Sequence, residues 1–136
     1  MIKSLYQIET DLYNAAKAFF DGEITGSVYR EDTRPGNSKL EDVVCIASFA
    51  TGEQVQRGQV EVDIFVNDLE GYKRRMADIV RIGEFSDMAE AFVEFLNDRY
   101  LSEYLFCIKS SPMRRALNNA NQHYVHYEIE FQRTTF

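Results

Sequence analysis

Apolar and polar residues alternate almost without interruption in two stretches of the chain, at 59–66 and 124–131. Because successive side chains on a β-strand point to opposite faces, each stretch predicts a strand with one apolar and one polar face. The apolar positions are Val60, Val62, Ile64 and Val66 in the first stretch and Val125, Tyr127, Ile129 and Phe131 in the second. The polar positions include Glu61, Asp63, Glu128 and Glu130. The pattern predicts a sheet with one buried face and one acidic face.

Hydrophobic patterns elsewhere in the sequence predict helices and further strands around these two strands. Residues 2–20 repeat apolar side chains at helical spacing and predict an amphipathic helix. Short strands are predicted at 26–30 and 43–49, and a further strand at 104–110, which Ser111 and Pro112 should end. The order of helix, three strands, helical region and two strands predicts an α+β fold in one domain, residues 1–136. An antiparallel sheet of about four to five strands packs against the N-terminal helix and the central helical region.

The helical region should contain one broken helix or two short ones between residues 69 and 102. Asn67 or Asp68 is suited to cap the first helix, Gly83 interrupts it, and Ser86 is suited to cap the second. The apolar stripe of the first helix is predicted to be Tyr72, Met76, Ile79 and Val80.

Composition narrows the class of protein. The net charge of −7 disfavours a nucleic-acid binder that works by neutralising phosphates. No apolar run approaches the length of a membrane span. Cys45 and Cys107 both lie in apolar runs, which predicts buried, reduced thiols in a cytoplasmic protein. They could be neighbours in the sheet.

Carboxylate side chains are the main candidates for a catalytic or metal-binding site. If their strands pair, Glu61, Asp63, Glu128, Glu130 and His126 share one sheet face, where carboxylates and an imidazole could bind a divalent cation. A solvated polar face is what antiparallel sheets usually have, and it is the favoured interpretation, with no metal site and no cofactor. A nucleophile elbow and a glycine-rich phosphate loop are both absent from the sequence, so the chain is predicted not to be an enzyme.

Basic residues form two clusters. Residues 73–75 with Arg81 lie on the polar face of a predicted helix, and Arg114 with Arg115 lies in a predicted loop. Each cluster is either a solvated surface or a contact with an acidic neighbour, such as the acidic sheet of another copy.

Three segments carry a resemblance to a known family. In 34–44, Arg-Pro and Asn-Ser lead through Glu-Asp into a strand; 56–68 is a long strand that ends in an acidic turn; and 123–131 is a His-aromatic-Val strand. Together they resemble the small tail terminator, or tail-completion, proteins of tailed bacteriophages and prophages. The order of helices and strands also fits this family.

The resemblance implies a non-enzymatic virion structural protein of the tail and neck, made in the cytoplasm of a bacterial host. Such proteins cap the tail tube at its head-proximal end and join it to the neck. They form a symmetric ring, usually of about six copies, around a channel. The implied partners are further copies of the chain, the tail tube protein and neck or connector proteins. DNA passes through without specific binding, which suits an acidic lumen.

Candidate contact residues follow from this resemblance and from the charge pattern. The candidates for the lumen or an intersubunit interface are Glu61, Asp63, Glu128, Glu130, Arg34, Asn37, Arg114 and Arg115. Three alternatives stay open: a head–tail connector or neck component, a small α+β domain that holds an apolar ligand between helix and sheet, and a metal-dependent enzyme that uses the acidic face.

Overall fold

The structure is a computed structural model that describes residues 1–71, 76–118 and 120–135. Three helices and five strands are found in this part of the chain. In chain order they are α1 (Leu5–Phe19), β1 (Val28–Arg30), β2 (Val43–Ala50), β3 (Val55–Asn67), α2 (Ile79–Asp87), α3 (Ala89–Arg99), β4 (Tyr104–Ala116) and β5 (Gln122–Thr134).

The five strands form one sheet in the order β1-β2-β3-β5-β4. The predicted α+β fold, with the N-terminal helix and a central helical region against the sheet, is confirmed. The sheet is mixed because the short β1 pairs parallel to β2, with Val28 beside Val43, whereas all other pairs are antiparallel. Residues 31–42 carry the chain back along the sheet between these two parallel strands.

The faces of β3 and β5 follow the alternation in the sequence. Val60, Val62 and Ile64 are fully buried toward the helices, as are the facing residues of β5. The polar positions lie on the opposite side of the sheet, which we call the open face. The core side is completed by apolar residues of α1, which begins at a capping box formed by Ser4 and Gln7.

The central region contains two short helices, as one of the two predicted alternatives stated. Ile79 and Val80, at the start of α2, were predicted to belong to the buried apolar stripe, and this is wrong because both are exposed. The buried residues of α2 are Ile82 and Phe85. Asp78 caps α2 by accepting a hydrogen bond from the Arg81 N–H, so the helix begins later than expected. The predicted stripe residue Tyr72 lies outside the described residues.

The residues that were predicted to cap or interrupt the central helices do not do so. Gly83 lies inside α2 rather than between helices, and neither Asn67 nor Asp68 is an N-cap. Ser86 does not cap α3: its hydroxyl donates to the Ile82 carbonyl within α2, and α3 begins without a side-chain cap. The break between the helices therefore falls at Met88.

β4 extends beyond its predicted end. It continues through Ser111 and Pro112 to Ala116, so Arg114 and Arg115 lie on a strand and not in a loop. Pro112 is tolerated because β4 is an edge strand and the register with β5 shifts between Ser110 and Met113. A proline at such a shift does not interrupt a ladder of hydrogen bonds, since its missing N–H is not required there.

The two cysteines differ in environment. Cys45 is buried, as predicted, whereas Cys107 is exposed on the open face, which corrects its prediction. β3 and β5 separate the strands that carry them, so they are not neighbours in the sheet.

Candidate functional site: the open face of the sheet

The predicted acidic residues do share one face. β3 and β5 pair antiparallel, with Glu61 directly opposite Glu128 and Asp63 directly opposite His126. Glu130 lies opposite Gln59, farther along the same face. Opposed like charges on paired strands repel each other, so the arrangement costs stability unless a cation or a proton compensates it.

His126 lies at the centre of the open face and is 6% exposed. Its Nδ1 is 2.6 Å from Asp63 Oδ1, and its Nε2 is 3.6 Å from Glu61 Oε1. Burial raises the pKa of Asp63 above its ordinary value, and Glu61 adds to the increase, whereas His126 and Arg115 oppose it. The imidazole is therefore held by one carboxylate and faces another.

Neutral side chains orient the two opposed glutamates. Ser48 donates its hydroxyl to Glu61 Oε2 at 2.7 Å, and the Gln59 amide donates to Glu128 Oε2 at 2.6 Å. Lys109 donates to the Gln59 carbonyl oxygen at 2.6 Å and so fixes the orientation of that amide. Glu61 keeps its other oxygen, Oε1, 3.6 Å from His126 Nε2.

The two glutamates and the histidine form a group with metal-ligand chemistry. One ligand atom each from Glu61, His126 and Glu128 lie within 4.8 Å of one another. Carboxylate oxygens and an imidazole nitrogen are the donors that first-row divalent ions accept. Glu130 is exposed and is not part of this group.

One end of the open face is apolar. A cavity of about 240 Å³ is lined there by residues that include Phe49, Leu105 and Cys107. Phe49 and Leu105 are more than half exposed. This end of the open face thus presents exposed apolar side chains.

Arg34 has its partners within its own chain. Its Nε donates to Asp42 Oδ2 at 2.9 Å, its Nη2 donates to Gln122 Oε1 at 2.9 Å, and its guanidinium lies 3.8 Å from the centre of the Phe65 ring. Asn37 is exposed in the adjacent turn. A contact between subunits through this loop stays a prediction, and of these two residues Asn37 is the more accessible.

The basic residues are divided between the two sides of the sheet. Arg115 lies opposite Tyr124 on the open face, and Arg114 lies opposite Val125 on the other side. Both are exposed. Arg81 forms an ion pair with Glu41 at 2.7 Å, which is the main cause of its raised pKa. Residues 73–75 of the predicted basic cluster lie outside the described residues.

Sequence reasoning placed the acidic residues and His126 on one face but missed Ser48 and Gln59. Gln59 continues the alternation two positions before Glu61, and that signal could have revealed it. Ser48 lies at a register shift between Ala47 and Phe49, so alternation alone does not give its orientation.

Comparisons with known proteins do not assign the chain to a family. Neither the protein-family models nor the curated proteins gave a significant match. None of the helices in the described part of the chain is long and apolar enough to cross a membrane.

Proposed function

We propose that this chain is a non-enzymatic structural subunit of a phage or prophage virion, similar to tail terminators, that assembles into a ring. In this proposal it caps the tail tube, joins it to the neck, and lets DNA pass without binding it specifically. The observation that carries the proposal is the free edge of β4.

β4 is a 13-residue strand at the end of the sheet. The Asn97 side chain covers the outer edge of β4 at Phe106, where it hydrogen-bonds both the backbone N–H and the backbone carbonyl. Beyond that point the edge from Ile108 to Ala116 has no neighbouring strand in the described chain. A long uncovered edge invites pairing with another chain, and a closed ring would cover it in every copy.

Exposed apolar residues beside this edge support the same proposal. Leu105 and Met113 lie on β4 itself and are 62% and 47% exposed. Large apolar side chains that are exposed on an edge strand favour an interface with another protein. The helix side has less support as a ligand site, since Ile8, Leu12 and Ile64 fill the layer between α1 and the sheet.

A charged residue placed beside the edge tests the assembly. We expect size-exclusion chromatography with light scattering to show larger species as the wild-type concentration rises. Met113→Lys should shift them toward the monomer, because a lysine in a dry interface is costly to desolvate. The matched control is Val80→Lys on α2, which is 74% exposed and should assemble like the wild type. Equal behaviour of the two variants would exclude this edge as the interface.

The acidic open face is the proposed lumen surface. The exposed Glu130 is the residue to change, since Asp63 is held by His126 and its reversal would disturb the sheet. The assembled Glu130→Lys variant should retain duplex DNA in a low-salt filter-binding assay, whereas the wild type should not. Glu90→Lys on the exposed side of α3 adds the same charge away from the sheet and should not retain DNA. Retention by neither variant would contradict a lumen role.

A connector or neck component is the second candidate within the same class, because a free edge and an acidic face suit any ring through which DNA passes. A head-facing partner without a tail-tube partner would favour it.

A further inference from the structure

Three ligand atoms converge at the centre of the open face. Glu61 on β3 lies directly opposite Glu128 on β5, and His126 lies two residues from Glu128 on the same face of the sheet. One ligand atom of each lies within 4.8 Å of those of the other two. The strand register produces this convergence, because the three side chains project from the same face of two paired strands.

Each of the three side chains is hydrogen-bonded to a further residue. Asp63 contacts Nδ1 of the His126 ring, Ser48 donates to Glu61 Oε2, and Gln59 donates to Glu128 Oε2. In metal sites, a carboxylate on one nitrogen of a histidine orients the other nitrogen toward the ion, and ligating carboxylates are likewise hydrogen-bonded. A solvated polar face does not require hydrogen bonds that orient all three side chains.

The second ring nitrogen of His126, Nε2, is available to a ligand. The residue as a whole is 6% exposed, but Nε2 is not one of the fully enclosed side-chain atoms, and it makes no hydrogen bond to any described residue. Its nearest charged neighbour is Glu61 Oε1 at 3.6 Å, which is too long for a hydrogen bond. A ring nitrogen that lies beside a carboxylate and makes no hydrogen bond within the described protein is available to bind a metal ion from the open face.

The local charge also calls for a cation. Within residues 1–71, 76–118 and 120–135, no lysine or arginine forms an ion pair with Glu61 or Glu128. The nearby Lys109 bonds the amide of Gln59 rather than a carboxylate. Among the described residues, His126 is the group of potentially opposite sign within ion-pair distance of Glu61, and no lysine or arginine lies within that distance of Glu128.

We propose that Glu61, His126 and Glu128 bind a divalent transition-metal ion, with Zn²⁺ the best match. One imidazole nitrogen with two carboxylate oxygens is a donor set that zinc accepts, whereas Mg²⁺ and Ca²⁺ prefer oxygen ligands alone. Three protein ligands leave a coordination position directed away from the sheet. The proposal concerns binding only and does not depend on ring formation.

The direct test is a titration of the metal-stripped full chain with Zn²⁺ in competition with a chromophoric chelator. Glu128→Gln should weaken binding by at least about tenfold, since even the loss of a supporting residue has an effect of this order. The Gln59 hydrogen bond can persist, because glutamine still offers an oxygen. Glu61→Gln is the second variant, and it should lose affinity to a similar extent.

Matched controls separate this site from other causes of binding. Glu130→Gln removes the same charge from the same face and should bind Zn²⁺ like the wild type. Cys107→Ser removes the exposed thiol and should also bind normally. Asp63→Asn keeps an acceptor for the ring N–H but removes its charge, and it should weaken binding by about 10- to 100-fold.

Several results would overturn the proposal. These are a folded wild type that takes up no Zn²⁺, a loss of affinity in Glu130→Gln equal to that in Glu128→Gln, and binding that disappears in Cys107→Ser. Binding of Mg²⁺ as tight as that of Zn²⁺ would contradict the transition-metal assignment. A thermal shift gives an independent readout: Zn²⁺ should raise the Tm of the wild type and of Glu130→Gln but not that of Glu128→Gln.

Discussion

Removal of the Arg34 guanidinium should destabilise the fold strongly. Its partner Asp42 is fully buried and sits where the chain enters β2. Asp42 also accepts hydrogen bonds from the Ser27 N–H and the Ser38 hydroxyl, so the network joins β2 to the segments on both sides of β1. Arg34→Ala would leave this carboxylate without its counter-ion.

The expected loss follows from the burial of the pair. Breaking a buried ion pair by removing one partner costs about 3–5 kcal/mol. The two hydrogen bonds that Asp42 retains favour the lower end of that range. The lost stacking on Phe65 adds about 0.5–1 kcal/mol. The sum is a loss of about 3–4 kcal/mol in the free energy of unfolding, or a Tm lower by about 10–15 °C for a domain of this size.

Urea unfolding followed by circular dichroism measures this loss directly. Arg114→Ala is the matched control, because Arg114 is exposed and its removal should change the free energy of unfolding by less than about 0.5 kcal/mol. In the double-mutant cycle, Arg34→Ala should cost much less in an Asp42→Asn background, which no longer holds a buried charge. A wild-type stability for Arg34→Ala would refute the structural role and would favour Arg34 as an interface residue.

Three further predictions follow from single sites. Tyr127→Phe should be neutral or stabilise the protein by about 1 kcal/mol in thermal unfolding, because the buried Tyr127 hydroxyl has no hydrogen-bond partner in the described structure; a clear loss of stability would reveal a partner. Without metal, Glu128→Gln should raise the free energy of unfolding by about 0.2–1 kcal/mol, because it removes the repulsion from Glu61 on the neighbouring strand. A destabilised variant would contradict the expected repulsion between the two glutamates. A thiol reagent should modify Cys107 and not Cys45 in the native protein, because Cys45 is buried and burial raises its thiol pKa; mass spectrometry of the modified peptides would show a reversed order if the burial were wrong.

The faces of the sheet were predictable because strand geometry has a strict period of two. Residues 59–66 and 124–131 alternate almost without interruption, so the buried and acidic faces follow from the sequence once the strands pair. The chain path around Pro112 was not predictable, because a proline is excluded from a central strand but tolerated on an edge, and the sequence does not show which strand is the edge.

The supporting contacts of the candidate site were harder to predict than its ligands. Ser48 reaches Glu61 only because a register shift in β2 turns it to the open face, and alternation does not carry that information. Arg34 binds Gln122, which is 88 residues away along the chain, so its structural role depends on the tertiary fold. Local patterns show which residue types share a face, and long-range pairing decides which of them touch.

Native mass spectrometry across a concentration series, with negative-stain imaging of the largest species, tests the proposed ring most directly. We expect a closed, symmetric ring with a central channel, formed at the expense of the monomer as the concentration rises. We also expect Met113→Lys to populate this ring less than the wild type at every concentration. A wild-type chain that remains monomeric throughout, or one that forms open chains of undefined length, would contradict the proposed ring.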